Sequence, residues 1–141
     1  MAGTLHIVAT PIGNLDDITA RAIKILGAAD LILCEDTRVA QKMLARFGIQ
    51  KPRESYHQHS TLRKADYILD LLREGKNLAL VSDAGTPGIC DPGNQLVSAA
   101  VEKFGDEIKI IPVPGASAVA AALSVCGFCA DKFVFLGFPP A

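Results

Sequence analysis

The chain has 141 residues, half of them apolar, which is enough for one sizeable core and too few for two ordinary domains. A net charge of -1 and a pI near 6.3 exclude a chain-wide attraction to nucleic acid or membrane, so any such partner must be met by a local patch. No apolar run reaches the length of a bilayer span and the first residues do not read as a secretion signal, so a cytoplasmic protein with no membrane partner is expected.

Short aliphatic runs alternate with longer segments of helical period, the signature of strand-helix units built around a parallel sheet. In chain order, a strand over Leu5 to Ala9 leads to a helix over Ile18 to Ala29, and a strand over Leu31 to Cys34 to a helix over Thr37 to Phe47. A strand over Glu54 to Tyr56 precedes a helix over Thr61 to Glu74, in which Leu62, Ala65, Leu69 and Leu72 share one face, Ser60 is placed to cap the start and Gly75 to end it. Strands over Leu78 to Ser82 and Ile108 to Pro112 feed helices over Asn94 to Phe104 and Ser117 to Val125. Most of these strands lack alternation, as strands covered on both faces do. The expected fold is therefore α/β, a three-layer sandwich with a mainly parallel five-stranded sheet flanked by helices.

Beyond the last helix, Asp131 to Phe138 reads as one more apolar strand, followed by Pro139, Pro140 and Ala141. Residues 1–128 are expected to form one α/β domain and residues 129–141 the linker and first strand of a second domain not contained in the chain. Cys126 and Cys129 form a Cys-x-x-Cys pair, yet no second close-spaced pair of ligands accompanies them and they follow a helix instead of opening one. Two small, partly buried residues are expected there, with all four cysteines as free thiols and no metal site.

In an open parallel sheet, ligands bind beyond the carboxyl ends of the strands, so unusual post-strand loops mark the site. Three such loops stand out. The first runs from Ala9 to Leu15 with Pro11 and Gly13. The second, Ser82 to Gly93, holds three Gly, two Pro and two Asp. The third is Pro112 to Ala118, opening a helix of nearly all small residues. Ala84 and Gly85 present little bulk, the prolines stiffen the path and Asp83 places a carboxylate at the strand end, a surface suited to a ribose or flat base. Neither a P-loop nor a Gly-x-Gly-x-x-Gly fingerprint is present. A stiff structural crossover would explain Asp91, Pro92 and Gly93 but not the rest, and tight helix packing would explain the alanines after Ser117.

Five motifs then occur in one order: Thr10-Pro11-Ile12-Gly13-Asn14-Leu15-Asp16-Asp17, Glu35-Asp36-Thr37-Arg38, Ser55-Tyr56-His57-Gln58-His59, Ser82-Asp83-Ala84-Gly85-Thr86-Pro87 and Pro112-Val113-Pro114-Gly115-Ala116-Ser117-Ala118. Together they make the chain resemble the tetrapyrrole methylase superfamily, in particular its branch that methylates a ribose hydroxyl of small-subunit 16S ribosomal RNA. The resemblance implies a homodimeric enzyme of two α/β domains holding S-adenosylmethionine between them, and a cytidine 2′-hydroxyl as acceptor. By that resemblance the cofactor contacts Pro11, Asp83, Ala84, Gly85, Thr86, Ala116 and Ser117, with Ser82, Pro114 and Gly115 of the same loops included in the site.

Methyl transfer from a sulfonium to a hydroxyl is an in-line displacement needing no metal, and proton removal would assist a weakly nucleophilic ribose. Candidate proton acceptors are Glu35, Asp36, His57 and His59, all just after the second and third strands. For the two acids an N-cap or first-turn role competes on equal terms, and the histidines could be ordinary exposed loop residues. Between Arg38 and Lys64 there are seven basic residues against one acidic, Glu54, a local charge of +6 in a chain whose total is -1. Arg38, Lys42 and Arg46 recur every four residues and form a helical stripe able to meet RNA phosphates, although a solvated basic face explains such a stripe as well. Two rival readings stay open: a methyltransferase acting on a tetrapyrrole or other small molecule, and a non-catalytic nucleotide-binding or dimerisation module.

Overall fold

The computed structural model describes residues 3–57 and 62–140. Its strands are β1 (Thr4–Val8), β2 (Leu31–Cys34), β3 (Arg53–Ser55), β4 (Asn77–Leu80) and β5 (Lys109–Val113). They alternate with α1 (Ala20–Ala28), α2 (Thr37–Arg46), α3 (Leu62–Arg73), α4 (Gly93–Phe104) and α5 (Ala118–Val125). All four neighbouring strand pairs are parallel, in the order β3-β2-β4-β1-β5. The α/β sandwich expected from the strand-helix rhythm is thus the fold observed.

Successive strand residues point to opposite faces, and the core divides accordingly. Leu31, Leu33, Leu78 and Leu80 join Leu5, Ile68, Leu72, Leu96 and Phe104 in a cluster under α3 and α4. Ile32, Cys34, Ala79 and Val81 join Val8, Ala22, Leu26, Met43 and Leu44 under α1 and α2. The central strands β2 and β4 are apolar on both sides because each side is roofed by a pair of helices, whereas the edge strand β3 is polar throughout. The connection from β1 to β2 passes over β4 on the α1 face, whereas that from β4 to β5 passes over β1 on the α4 face. The two crossovers diverge between β1 and β4, which opens a crevice at the carboxyl ends of these central strands.

Helix ends follow the capping chemistry in the sequence. Thr19 Oγ1 accepts the Ala22 amide at 3.0 Å and Asp36 Oδ1 the Arg38 amide at 2.8 Å, so α1 begins two residues later than the periodicity suggests. At the end of α3, Gly75 (φ +87°) donates its amide to Leu72 O while Lys76 donates to Leu71 O, the double closure that a left-handed glycine permits. The face of α3 differs from expectation: Ile68, Leu69 and Leu72 are buried, whereas Leu62 is 86% exposed because the helix meets the sheet through its second half. The expected cap Ser60 lies outside the described residues.

The other departure is at the far end of the chain. Residues 131–138, expected to be the first strand of a second domain, form no ladder with the described sheet, whose edge at β5 stays open on its outer side. Val134, Leu136 and Phe138 are more than four-fifths exposed, and α5 buries no residue. Cys126 and Cys129, expected to be partly buried, are exposed for the same reason, while Cys34 is buried; all four cysteines are unpaired.

Candidate active site at the carboxyl rim of the sheet

The three Gly- and Pro-containing loops meet. Thr10, just past β1, and Gly85, past β4, exchange backbone hydrogen bonds at 2.9 and 3.0 Å as a two-residue antiparallel bridge. The buried Thr10 hydroxyl donates to Ser82 O at 3.2 Å, and the Ser82 hydroxyl donates to Ala84 O at 3.2 Å, folding the loop back on its own strand. From there Thr86 Oγ1 donates to Ala116 O at 3.1 Å, tying the β4 loop to the β5 loop.

Two glycines are needed for this closeness. At Gly85 (φ +83°) a Cβ would meet Ile12 Cγ2 at 3.4 Å, on a backbone that L side chains rarely adopt. At Gly115 a Cβ would lie 3.0 Å from the Ala9 Cβ, so the β5 loop could not settle on the end of β1. Farther along, Asp91 Oδ1 accepts the amides of both Gly88 and Gly93 at 2.7 Å, pinning the remainder of the β4 loop against the start of α4.

These loops wall a cavity of about 440 Å³. Of the expected cofactor residues, Ala84, Gly85, Thr86 and Ser117 line it directly. Pro11, Ser82, Asp83, Pro114, Gly115 and Ala116 are not among its lining residues; Ser82, Gly115 and Ala116 hold the lining loops through the contacts just described. The remaining lining is apolar, from Ile12, Ile89 and Val119 together with Phe135 and Phe138 of the last segment. Loop punctuation carried no signal for those five, which are ordinary apolar residues until the fold brings them together. A cavity of this size with apolar walls and small residues on one side fits an adenosyl group. The carboxylates of Glu35, Asp36 and Asp83, at the ends of β2 and β4, are not part of this lining.

Those carboxylates form a linked pair of strand ends. The Asp83 amide donates to Glu35 Oε1 at 3.4 Å, and the Asp36 amide donates to Asp83 Oδ1 at 3.2 Å, so the ends of β2 and β4 hold each other. Burial pushes the Glu35 carboxyl upward, opposed by the bond from Asp83 and reinforced by the charges of Asp83 and Asp91. Asp36 goes the other way. Its Oδ1 and Oδ2 take Nε and Nη2 of Arg38 at 3.1 and 2.8 Å, and the guanidinium holds its carboxyl near 2. Asp36 is also the N-cap of α2, so both uses weighed for it coincide with an engaged, weakly basic carboxylate.

His57 is exposed beyond β3, and His59 lies outside the described residues. On α2, Arg38 and Lys42 line a separate depression of about 670 Å³ with Asp36, Val39, Gln41 and Ala45. Arg46, the third member of the expected stripe, is exposed in the last turn of α2 and is not among its lining residues. Among the described residues, no cluster of His, Cys, Asp and Glu is arranged to hold a metal ion, and no helix is long and apolar enough to cross a membrane.

The parallel sheet with its Gly- and Pro-rich carboxyl rim matches a known class. The profile of the Tetrapyrrole (Corrin/Porphyrin) Methylases covers residues 4–135, and the chain belongs to this family. Among full sequences it is 52% identical over 136 residues to Ribosomal RNA small subunit methyltransferase I of Synechocystis sp., covering 96% of the chain and 48% of that protein. It is 50% identical over 140 residues to the protein of the same name from Neisseria meningitidis serogroup A, covering 99% of the chain and 47% of the relative. The chain thus spans about half the length of the curated relatives it matches. Among solved structures, uroporphyrin-III-C-methyltransferase from Thermus thermophilus superposes with a TM-score of 0.66 at 23% identity, over 92% of this chain and 55% of that one. The cobalamin biosynthetic enzyme cobalt precorrin-4 methyltransferase, CbiF, does so with a TM-score of 0.59 at 26% identity, over 86% and 49%.

Proposed function

We propose that this chain is the cofactor-binding part of an enzyme that uses S-adenosylmethionine to methylate the ribose 2′-hydroxyl of a cytidine in small-subunit 16S ribosomal RNA. The observation that carries the reading is the convergence of the three loops on one cavity through Thr10, Gly85, Thr86 and Ala116, in a chain half identical to proteins named for small-subunit RNA methylation. Residues 129–141 are then linker and entrance to a second domain, and the working protein is a cytoplasmic homodimer. The exposed apolar side of α5 and the segment after it supports both, as surface that a further domain or a second copy would cover.

When bound, S-adenosylmethionine supplies a methyl group on a sulfonium, already activated for displacement. The residues of this chain supply alignment. Ala84 and Gly85 let the backbone approach the adenosyl group, Ser117 offers a hydroxyl at the start of α5, and Ile12 and Ile89 keep water off the reacting face. Holding donor and acceptor in line can contribute roughly 7 to 11 kcal/mol, more than one proton-transfer group usually supplies. Among the candidate acceptors, Glu35 has its carboxyl pushed upward by burial, and its Oε2 would take the hydroxyl proton. Asp36 would instead orient Arg38 toward an RNA phosphate, with Lys42 beside it, and His57 and His59 would face the acceptor.

The test uses the complete protein with small ribosomal subunits and methyl-labelled donor, followed by mapping of the label. Label on a cytidine ribose is expected. Label on a base, or transfer only to a tetrapyrrole offered in parallel, would replace the RNA reading by the small-molecule one. Absence of S-adenosylhomocysteine binding by calorimetry would leave only a non-catalytic module.

A further inference from the structure

The basic stripe read along α2 does not continue as a stripe in three dimensions. The depression lined by Arg38 and Lys42 adjoins a second one of about 420 Å³, and the two share Gln41 and Ala45 as common lining. The second depression is bounded by Gln50 and Lys51 on the approach to β3, one of the two edge strands of the sheet, and by Arg53 at its start. Its floor is open because Ala45 and Gly48 carry little or no side chain, and a Cβ on Gly48 would meet nothing within 4 Å. Gly48 is also where the chain reverses: at φ +67° it donates to Ala45 O while Ile49 donates to Leu44 O, which swings Lys51 and Arg53 back alongside the helix they follow.

We propose that an RNA strand flanking the modified nucleotide leaves α2 after Lys42 and turns into this second depression, so that Lys51 and Arg53, more than Arg46, carry its next phosphates. The proposal rests on the RNA reading above and says which path the RNA takes. Arg53 is preset for the role, since its Nη1 donates to Lys51 O at 3.2 Å and the guanidinium is held beside the lysine before any partner arrives. Gln41 and Gln50 offer amides to sugar hydroxyls or base edges, the groups by which unpaired RNA is read. Both glutamines line the depression and Arg46 does not. From Arg38 through His57 the sole acidic residue is Glu54, and Asp36, which lines the first depression, is paired with Arg38; the second depression has no acidic residue in its lining.

The experiment measures binding of a single-stranded 16S RNA oligonucleotide to the complete protein by fluorescence anisotropy across a salt series. The variants are Lys51→Glu with Arg53→Glu, the milder pair Lys51→Gln with Arg53→Gln, Arg46→Glu, and Arg38→Glu as the reference for the first depression. The paired reversal should weaken binding at least tenfold at physiological salt, and the glutamine pair should lower the slope of log K against log salt by about 1.4, two single-strand phosphates at ~0.7 each. Arg46→Glu should cost clearly less. Unchanged S-adenosylhomocysteine affinity shows that each variant is folded. Arg46→Glu equalling the Lys51/Arg53 pair, or no effect of the pair while Arg38→Glu weakens binding, overturns the path and leaves the RNA reading intact. A native protein that binds acidic peptide and RNA equally well, with no dependence on ribose, overturns both.

Discussion

Helices α2 and α5 are of similar length and opposite character, and their fates are the reverse of what composition suggests. The first, TRVAQKMLAR, is the more polar and yet buries Ala40, Met43 and Leu44 against the sheet. The second, AVAAALSV, is apolar nearly all the way round and buries nothing. Burial depends on a facing surface as well as on side chains: α2 has a narrow apolar stripe with β2 and its neighbours beneath it, whereas the outer part of α5 and the segment after it face solvent. A helix that is apolar on every side is ordinarily buried, and the second domain or second copy proposed above is what would cover α5.

Removing side chains beneath and outside the core is the widest test of this contrast. Leu72→Ala, at a position with no exposed surface, should cost about 2 to 5 kcal/mol in chemical denaturation. Val125→Ala, 83% exposed at the end of α5, should stay within about 0.5 kcal/mol in this chain. A larger penalty that grew with protein concentration would mean that α5 is covered by a second copy. Next in size, Thr10→Val removes the hydroxyl that closes the β4 loop and should cost on the order of 1 kcal/mol, with a weaker S-adenosylhomocysteine affinity by calorimetry.

Smaller effects separate the two neighbouring acids at the end of β2. With its carboxyl raised, Glu35 stabilises the fold below its ordinary range and loses that contribution as pH rises through the folded value, so Glu35→Gln should melt slightly higher than the native protein at neutral pH. If Glu35 also accepts the substrate proton, the same variant loses the ascending limb of the rate profile. A glutamine that retains full activity where alanine does not would make Glu35 a positioning residue for the Asp83 amide. The sign reverses for Asp36. Its contribution is present above the ordinary carboxylate range and disappears as pH falls toward about 2, and Asp36→Asn should flatten that part of a melting-temperature series.

Much of the fold could be read from local pattern because each strand-helix unit carries its own signals: apolar runs four or five residues long, Asp36 as a cap, Gly75 as a stop. The three ligand loops were legible for the same reason, since the prolines and glycines of Ser82 to Gly93 have no use in a helix or strand. What could not be read was any property that depends on a facing partner. Leu62 fits the helical face by spacing but α3 does not touch the sheet there, and 131–138 has strand composition without a strand to pair with. Arg46 has the spacing of Arg38 and Lys42, but the reversal at Gly48 brings Lys51 and Arg53 to the groove instead.

The sequence by itself determined the strand-helix rhythm, the cap positions and which loops were free to approach a ligand, because those properties reside in backbone preferences and in periods of two and 3.6 residues. Only the tertiary structure decided the strand order, the apolar lining of the cavity by Ile12, Ile89 and Phe138, and the opposed behaviour of Glu35 and Asp36. Those depend on groups far apart in the chain becoming neighbours, and distance along the sequence says nothing about desolvation or about which carboxylate an amide will find.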